Sequence, residues 1–377
     1  MSTEKIGYVE AIALITIVMI NKIILNTPKD IIAKTGPASW LNVLYISIIA
    51  LIIVCLIAYL FKAFHGKDIL DISQFLGGKP LKFIIGIAYI FLLIILTASI
   101  IKSLSETLRI IYFKNSPILY ITLFFVVSSI ISNRYPIKVI AKANLIIAPV
   151  IFLSIMIILA SSIKNFMPER IFPILGYGVN ETFFSGLSNI FSFSGMLYLL
   201  FLPPLLDKPN KLKRMSVIAI IISAVYLFLS VVCLLLSLSF TMHSDESFSL
   251  YVLTRSLEYG RFIQRVDAVF ILVWIVAILS YINLPISFCI YIFKKLTNIS
   301  DSNSFNYSIN LLLLALCIIP VEYAVFTNIL AKIVQNWFLI LFFAISLPIL
   351  ILANLKIKLF NKNRKERFKN CECEITN

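Results

Sequence analysis

Residues 186–214 read GLSNIFSFSGMLYLLFLPPLLDKPNKLKR, a single stretch of membrane length with two unlike halves. In the first half Ser185, Ser188, Ser192 and Gly195 recur at steps of 3, 4 and 3, which puts small side chains on one side of a helix. From Met196 to Leu206 only the ring of Tyr198 carries a polar atom, then Pro203 and Pro204 end the helix and Asp207 to Arg214 forms a charged loop. The middle, Phe191-Ser192-Phe193-Ser194-Gly195, sets a glycine and two hydroxyls where a bilayer is thickest. That composition suits a helix whose backbone is locally opened to meet a ligand. It also suits two helices that pack closely through small residues, and the stretch alone leaves both readings open.

Composition decides the class. The 377 residues are 60% hydrophobic with a mean hydropathy of +0.99, against the roughly 45–50% of ordinary soluble domains, so the chain reads as an all-α polytopic membrane protein. A net charge of +15 in a soluble chain would point to nucleic acid. Here the basic residues lie between apolar runs and at the C-terminus, where they orient helices in a membrane, and nucleic-acid binding is rejected. Of six cysteines, Cys55, Cys233, Cys289 and Cys317 fall within apolar runs and Cys371 and Cys373 form a C-x-C near the end. None has the spacing of a four-ligand metal site, and His65 and His243 are the two histidines, so no metal and no cofactor is expected. No G-x-S-x-G and no phosphate loop occurs, and an enzyme is not expected. The start, MSTEKIGYVEAIALITIVMI, shows no small-residue cleavage site after its apolar run and reads as a first span, not a removable signal.

Runs of about 20 apolar residues cross about 30 Å of hydrocarbon. Ten are found: Tyr8 to Thr27, Ser39 to Phe61, Leu81 to Ile101, Pro117 to Ile131, Val139 to Ser161, Thr182 to Leu205, Ser216 to Phe240, Val266 to Ile292, Tyr307 to Phe326 and Trp337 to Leu355. With the N-terminus inside, 21 of the 33 Lys and Arg residues fall on the cytoplasmic side and 11 outside, with Lys22 within the first span; both termini are therefore placed in the cytoplasm. A transmembrane domain over residues 1–355 and a basic cytoplasmic tail over 356–377 follow, the tail suited to anionic lipid. Asp68 to Gly78 puts Ile69, Ile72 and Phe75 on one face and is expected to lie along the inner membrane surface. Lys102 to Lys114 continues the third span outward, and Ser99, Lys102, Glu106 and Arg109 make one charged stripe, either a solvated face or the lining of an outer vestibule.

Charge inside a span is costly, so its default reading is functional. Glu10, Lys22 and Glu322 qualify, the first and last near interfaces. Lys22 lies about 21 Å along the first span at 1.5 Å per residue, past the midplane and beside Asn21, where it either serves a site or snorkels outward near Pro28.

The stretch FPILGYGVNETFFSGLSNIFSFSGMLYLLFLPPLLDKP, with YGRFIQRVDAVFILVWIVAILSYI in the eighth span and LGGKPLKFIIGIAYIF before the third, resembles the spore germination permease family, the integral-membrane B subunits of germinant receptors. The most specific piece is Arg265 with Asp267, then Phe270, Trp274 and Ser280; FSFSG is shared more widely with permeases of the amino acid, polyamine and organocation superfamily. The resemblance implies a ten-helix LeuT-like core, a 5+5 inverted repeat with helices 1 and 6 interrupted at the midplane. Where such permeases carry a glycine-containing break in helix 1, this chain reads INKIILNTP over residues 20–28, with both glycines replaced and Lys22 able to supply a positive charge. It further implies a spore inner membrane location, a small nutrient, an amino acid, as ligand, and a larger A-type subunit and a C-type lipoprotein as partners. The ligand is expected among Asn21, Lys22, Thr97, Phe191, Ser192, Phe193, Ser194, Gly195 and Ser280, with Lys102, Glu106 and Arg109 as vestibule. Arg265 and Asp267 are expected to be structural. An amino-acid transporter working by alternating access would use the same midplane site and is the alternative.

Overall fold

The computed structural model describes residues 5–25, 27–237, 253–254, 266–299, 303–319 and 332–359. Arg265, Glu322, His243, Cys371, Cys373 and the tail beyond 359 lie outside them, as does the side chain of Asp267.

Among the described residues the chain is helical, with one isolated parallel bridge between Ile6 and Leu206. Helix α1 spans Tyr8–Leu25, α2 Thr27–Thr35, α3 Ser39–Phe61, α4 Ile69–Ile111, α5 Ile118–Ser132 and α6 Ile137–Ser161. A helix of mixed geometry covers Asn180–Leu200, followed by α7, Leu212–Ser237, α8, Val266–Thr297, α9, Asn303–Ile318, and α10, Lys332–Leu359. Among the described residues seven helical stretches are long and apolar enough to cross a membrane, and Ile118–Ser132 and Asn303–Ile318 are shorter apolar helices. The exposed side chains agree, since Ile146 on α6 is 76% exposed and Ile84 on α4 65%, which water would penalise and lipid does not.

Three features position the centre of the molecule. First, α1 packs against α6, α7, α8 and the Asn180–Leu200 helix, and every residue from Ala13 to Ile24 is buried, so α1 is the axis of the bundle and has no lipid-facing side over that length. Second, α4 begins with a capping box: Asp71 N–H donates to Asp68 Oδ1 at 3.0 Å and Asp68 N–H to Asp71 Oδ2 at 3.5 Å. The expected surface helix is thus the first part of α4, which kinks where Gly78 adopts φ 72° and then runs on unbroken to Ile111. Third, the strand-like pairing at Ile6 ties the entry of α1 to the segment after the Asn180–Leu200 helix, through Ile6 N–H to Leu205 O at 2.7 Å and Asp207 N–H to Ile6 O at 3.0 Å.

Candidate functional site

The first helix is the departure from the sequence reading. Residues 28–35, read as an outer loop, form α2, which buries Pro28, Ile31, Ile32 and Thr35. Its opening, Thr27-Pro28-Lys29-Asp30, has a Thr ahead of Pro and an acid in the first turn, which suits a helix N-terminus. α1 closes at Leu25 and α2 starts at Thr27, so Lys22 sits in the last turn of one helical segment and Asp30 in the first turn of the next.

The Asn180–Leu200 helix is wound as a π-turn over Asn180–Phe184 and then as 3-10 helix over Ser185–Leu200, with Phe193 off the helical region at φ −94°, ψ 23°. Such winding frees backbone carbonyls from the regular ladder. Here they serve side chains of other helices. Asn42 Nδ2 on α3 donates to Thr182 O at 2.7 Å and Gly186 O at 3.1 Å, and its Oδ1 accepts from Asn189 Nδ2 at 2.9 Å. Gln335 Nε2 on α10 donates to Ser188 O at 2.8 Å, and Lys34 Nζ on α2 donates to the Ser188 hydroxyl.

The last such carbonyl belongs to Phe191. Lys22 Nζ donates to Phe191 O at 3.2 Å and stands 3.2 Å from the centroid of the Phe191 ring, so one ammonium holds both backbone and π-face of the opened helix. Lys22 is 8% exposed and does not reach an outer surface. An ammonium has three donors and Phe191 O takes one; among the described residues no carboxylate lies within ion-pair distance, and the nearest acid acting on it electrostatically is Asp30. Asp30 itself is exposed. Beside Lys22, Asn21 spends its Nδ2 on Ile17 O at 2.9 Å and leaves a buried Oδ1 without a partner among the described residues. Unpaired donors on Lys22 and an unpaired acceptor on Asn21 therefore lie on adjacent residues near the end of α1, groups able to take a ligand with both an anionic and a donor group.

The other expected residues are distributed as follows. Phe191 packs its ring on Phe338 of α10 with centroids 5.5 Å apart. Ser192, Phe193 and Ser194 are buried, and the Ser192 hydroxyl donates to Asn189 O at 2.7 Å. Gly195 faces α1, where a Cβ would stand 2.9 Å from Met19 Cγ and Cε. Thr97 on α4 is buried with its hydroxyl donating to Leu93 O at 2.7 Å, and Ser280 is buried on α8; among the described residues no hydrogen bond joins either to Lys22 or Phe191. In the vestibule group, Lys102 and Glu106 are buried, not spread on a solvated face: Lys102 Nζ donates to Ile319 O at 2.6 Å, and Arg109 approaches Glu106 Oε2 at 2.8 Å. Sequence reasoning did not single out Asp30, Lys34, Asn42 or Gln335. Two kinds of signal were present: the T-P-K-D start for the two on α2, and a lone amide in an apolar run for Asn42; Gln335, beside Asn336 and ahead of the last span, carried none.

Residues 5–323 match the family described as Spore germination protein. The chain belongs to this family. Two relatives from Bacillus subtilis (strain 168) are similar over most of its length: Spore germination protein B2, 22% identical over 72% of this chain and 74% of that protein, and Spore germination protein KB, 21% identical over 73% and 74%. Solved structures share the fold. MhsT in complex with L-phenylalanine superposes with a TM-score of 0.67 over 92% of this chain and 98% of that one at 14% identity. Mhp1, a nucleobase-cation-symport-1 family transporter in a closed conformation with bromovinylhydantoin bound, gives 0.60 over 87% and 76% at 12% identity. The family membership, and a helical fold shared with these solved structures, are what the resemblance of the sequence implied.

Proposed function

We propose that this member of the spore germination protein family is the nutrient-binding membrane subunit of a germinant receptor, built of ten spans as a 5+5 inverted repeat with both termini cytoplasmic. The observation that carries the reading is the Lys22 ammonium bound to the carbonyl and ring of Phe191 at the end of α1. A buried cation with one carbonyl and no carboxylate leaves donors for an anion, and leaving them unpaired costs several kcal/mol. An amino acid fits the group: its carboxylate meets Lys22, and its ammonium meets the unpaired Asn21 Oδ1 and Asp30. The bound L-phenylalanine of MhsT lends support to an amino acid in this fold. A larger A-type subunit and a lipoprotein complete the receptor, which resides in the spore inner membrane.

Replacement of Lys22 tests this. Lys22→Met is expected to abolish the germination response to the cognate nutrient while the protein still reaches the membrane, and Lys22→Arg to be partly tolerated, because the guanidinium keeps the charge but is larger and planar and needs more room than an ammonium between the ring and the carbonyl. A normal dose-response in the Met variant removes Lys22 from the site. Transport by alternating access is the second reading, favoured by the neighbouring Mhp1 transporter. Loss of response to one nutrient on deletion of the gene, with uptake of that nutrient in growing cells unchanged, separates sensing from transport.

A further inference from the structure

A pocket lies at the end of α1 opposite Lys22. It encloses about 210 Å³ and is lined by Ile6, Tyr8, Leu206, Asp207, Lys208, Lys211 and Met215. A cavity of this volume has room for a tetrahedral anion with a substituent. Its polar lining is asymmetric in sign, with two ammonium groups against one carboxylate. Among the described residues neither lysine ion-pairs with Asp207, whose backbone N–H is engaged in the tie to Ile6. Lys211 Nζ instead rests over the Tyr8 ring at 5.3 Å from its centroid, which brings its charge to the aromatic wall of the cavity. The Tyr8 hydroxyl is buried and has no hydrogen-bond partner among the described residues. A phenol is a good donor, and a buried donor left unpaired is unfavourable unless something arrives to accept from it. Two ammonium groups without a carboxylate partner among the described residues, one orphaned hydroxyl donor and a cavity of this size lack one thing in common, an anionic oxygen cluster.

We propose that this cavity binds a phosphate ester, with Lys208 and Lys211 on the phosphoryl oxygens and the Tyr8 hydroxyl donating to one of them. The charge bias places this end of the bundle in the cytoplasm, so the ester comes either from the headgroup of an anionic phospholipid or from a soluble phosphate ester. Either would bridge Tyr8 on α1 to the loop after the Asn180–Leu200 helix, beside the Ile6 backbone tie, and so hold the two elements together at their inner ends.

The purified full-length protein in detergent is titrated with sn-glycerol 1-phosphate against chloride at equal ionic strength, and phosphatidylglycerol retention is measured by native mass spectrometry from nanodiscs of phosphatidylglycerol and phosphatidylcholine. Wild type is expected to bind at least one probe saturably, the double variant Lys208→Ala/Lys211→Ala at least tenfold more weakly, and Lys213→Ala, outside the cavity, like wild type. Tyr8→Phe keeps the ring under Lys211 and deletes the hydroxyl alone; about threefold weaker binding is expected, with an unchanged unfolding midpoint without ligand. Retention of lipid alone identifies a headgroup as the source, and binding of the soluble probe as well identifies a phosphate-ester site open to the cytoplasm. Equal binding by wild type and the double variant, or no binding of either probe by wild type, overturns the proposal.

Discussion

Gly195 and Gly186 show how single residues set the distance between helices. A Cβ on Gly195 would lie 2.9 Å from Met19 Cγ and Cε, so the glycine lets α1 and the Asn180–Leu200 helix approach closely. Met19 is unbranched and flexible, but its Cγ is near the backbone and has little freedom to give way. Gly195→Ala is therefore expected to lower the unfolding midpoint through overpacking of about 1–3 kcal/mol, and Met19→Ala in the same chain to restore most of it. A midpoint that the second substitution does not restore assigns the glycine another role. At Gly186 the obstacle is Asn42 Nδ2, which a Cβ would meet at 2.3 Å. Gly186→Ala must expel the Asn42 amide from the carbonyls of Thr182 and Gly186, and with it the bond from Asn189, leaving buried polar atoms unpaired at about 1–3 kcal/mol each. Its membrane abundance is expected to fall well below that of Gly195→Ala. Asp30 belongs to the same scale. Asp30→Asn keeps the shape and removes the charge that faces Lys22, and a rightward shift of the nutrient dose-response with normal abundance is expected.

Between elements, a buried ionic group joins the start of α4 to the end of α8. Asp68, fully buried, accepts from the Tyr291 hydroxyl at 2.6 Å and from Lys295 Nζ at 2.8 Å, while Lys295 also reaches Asp71 at 2.6 Å. Burial pushes the Asp68 carboxyl above its usual range, and the Lys295 cation draws it back. Lys295→Met strands the carboxylate, which is expected to cost about 3–5 kcal/mol at neutral pH. The sign of the pH dependence follows from linkage. Without Lys295 the folded value rises further above that of the unfolded chain, so the variant is most stable below it and loses stability as pH rises through it. The deficit relative to wild type, read from unfolding midpoints at pH 8 and pH 5, should narrow at pH 5; an equal deficit at both would show that packing, not charge, holds the junction. This scale also shows what could be read in the sequence. The second and fifth spans are legible because hydrocarbon thickness sets their length, and Ser39–Phe61 is found as read. α2 is not, because a nine-residue half-helix inside the bundle carries lysines and an aspartate that hydropathy assigns to a loop. Lys22 stands out as a charge deep in a span, whereas its partner Phe191, 169 residues away, offers only a backbone carbonyl, and a carbonyl has no sequence signature.

For the whole molecule the question is what keeps one end of the bundle shut. If one helical set rocks against another, as the transport reading proposes, the Ile6 end of α1 has to part from the segment after the Asn180–Leu200 helix. Here those ends are joined by two backbone hydrogen bonds, with Met215 buried behind them at the cavity wall. Ile6→Pro removes the donor to Leu205 O and leaves the bond from Asp207 to the Ile6 carbonyl, while the extended backbone at that position suits proline. One lost bond is worth about 1 kcal/mol, which at about 1.4 kcal/mol per tenfold raises the open population about fivefold. The measurement is the rate at which a thiol reagent modifies Met215→Cys in an otherwise cysteine-free protein. With intact Ile6 the rate reports the closed end; with Ile6→Pro it is expected to rise about fivefold, and a phosphate ester bound in the adjacent cavity should reverse part of that rise. An unchanged rate would mean that side-chain packing around α1, not the backbone tie, closes this end, and the rocking element would then have to be sought at the α4–α8 junction.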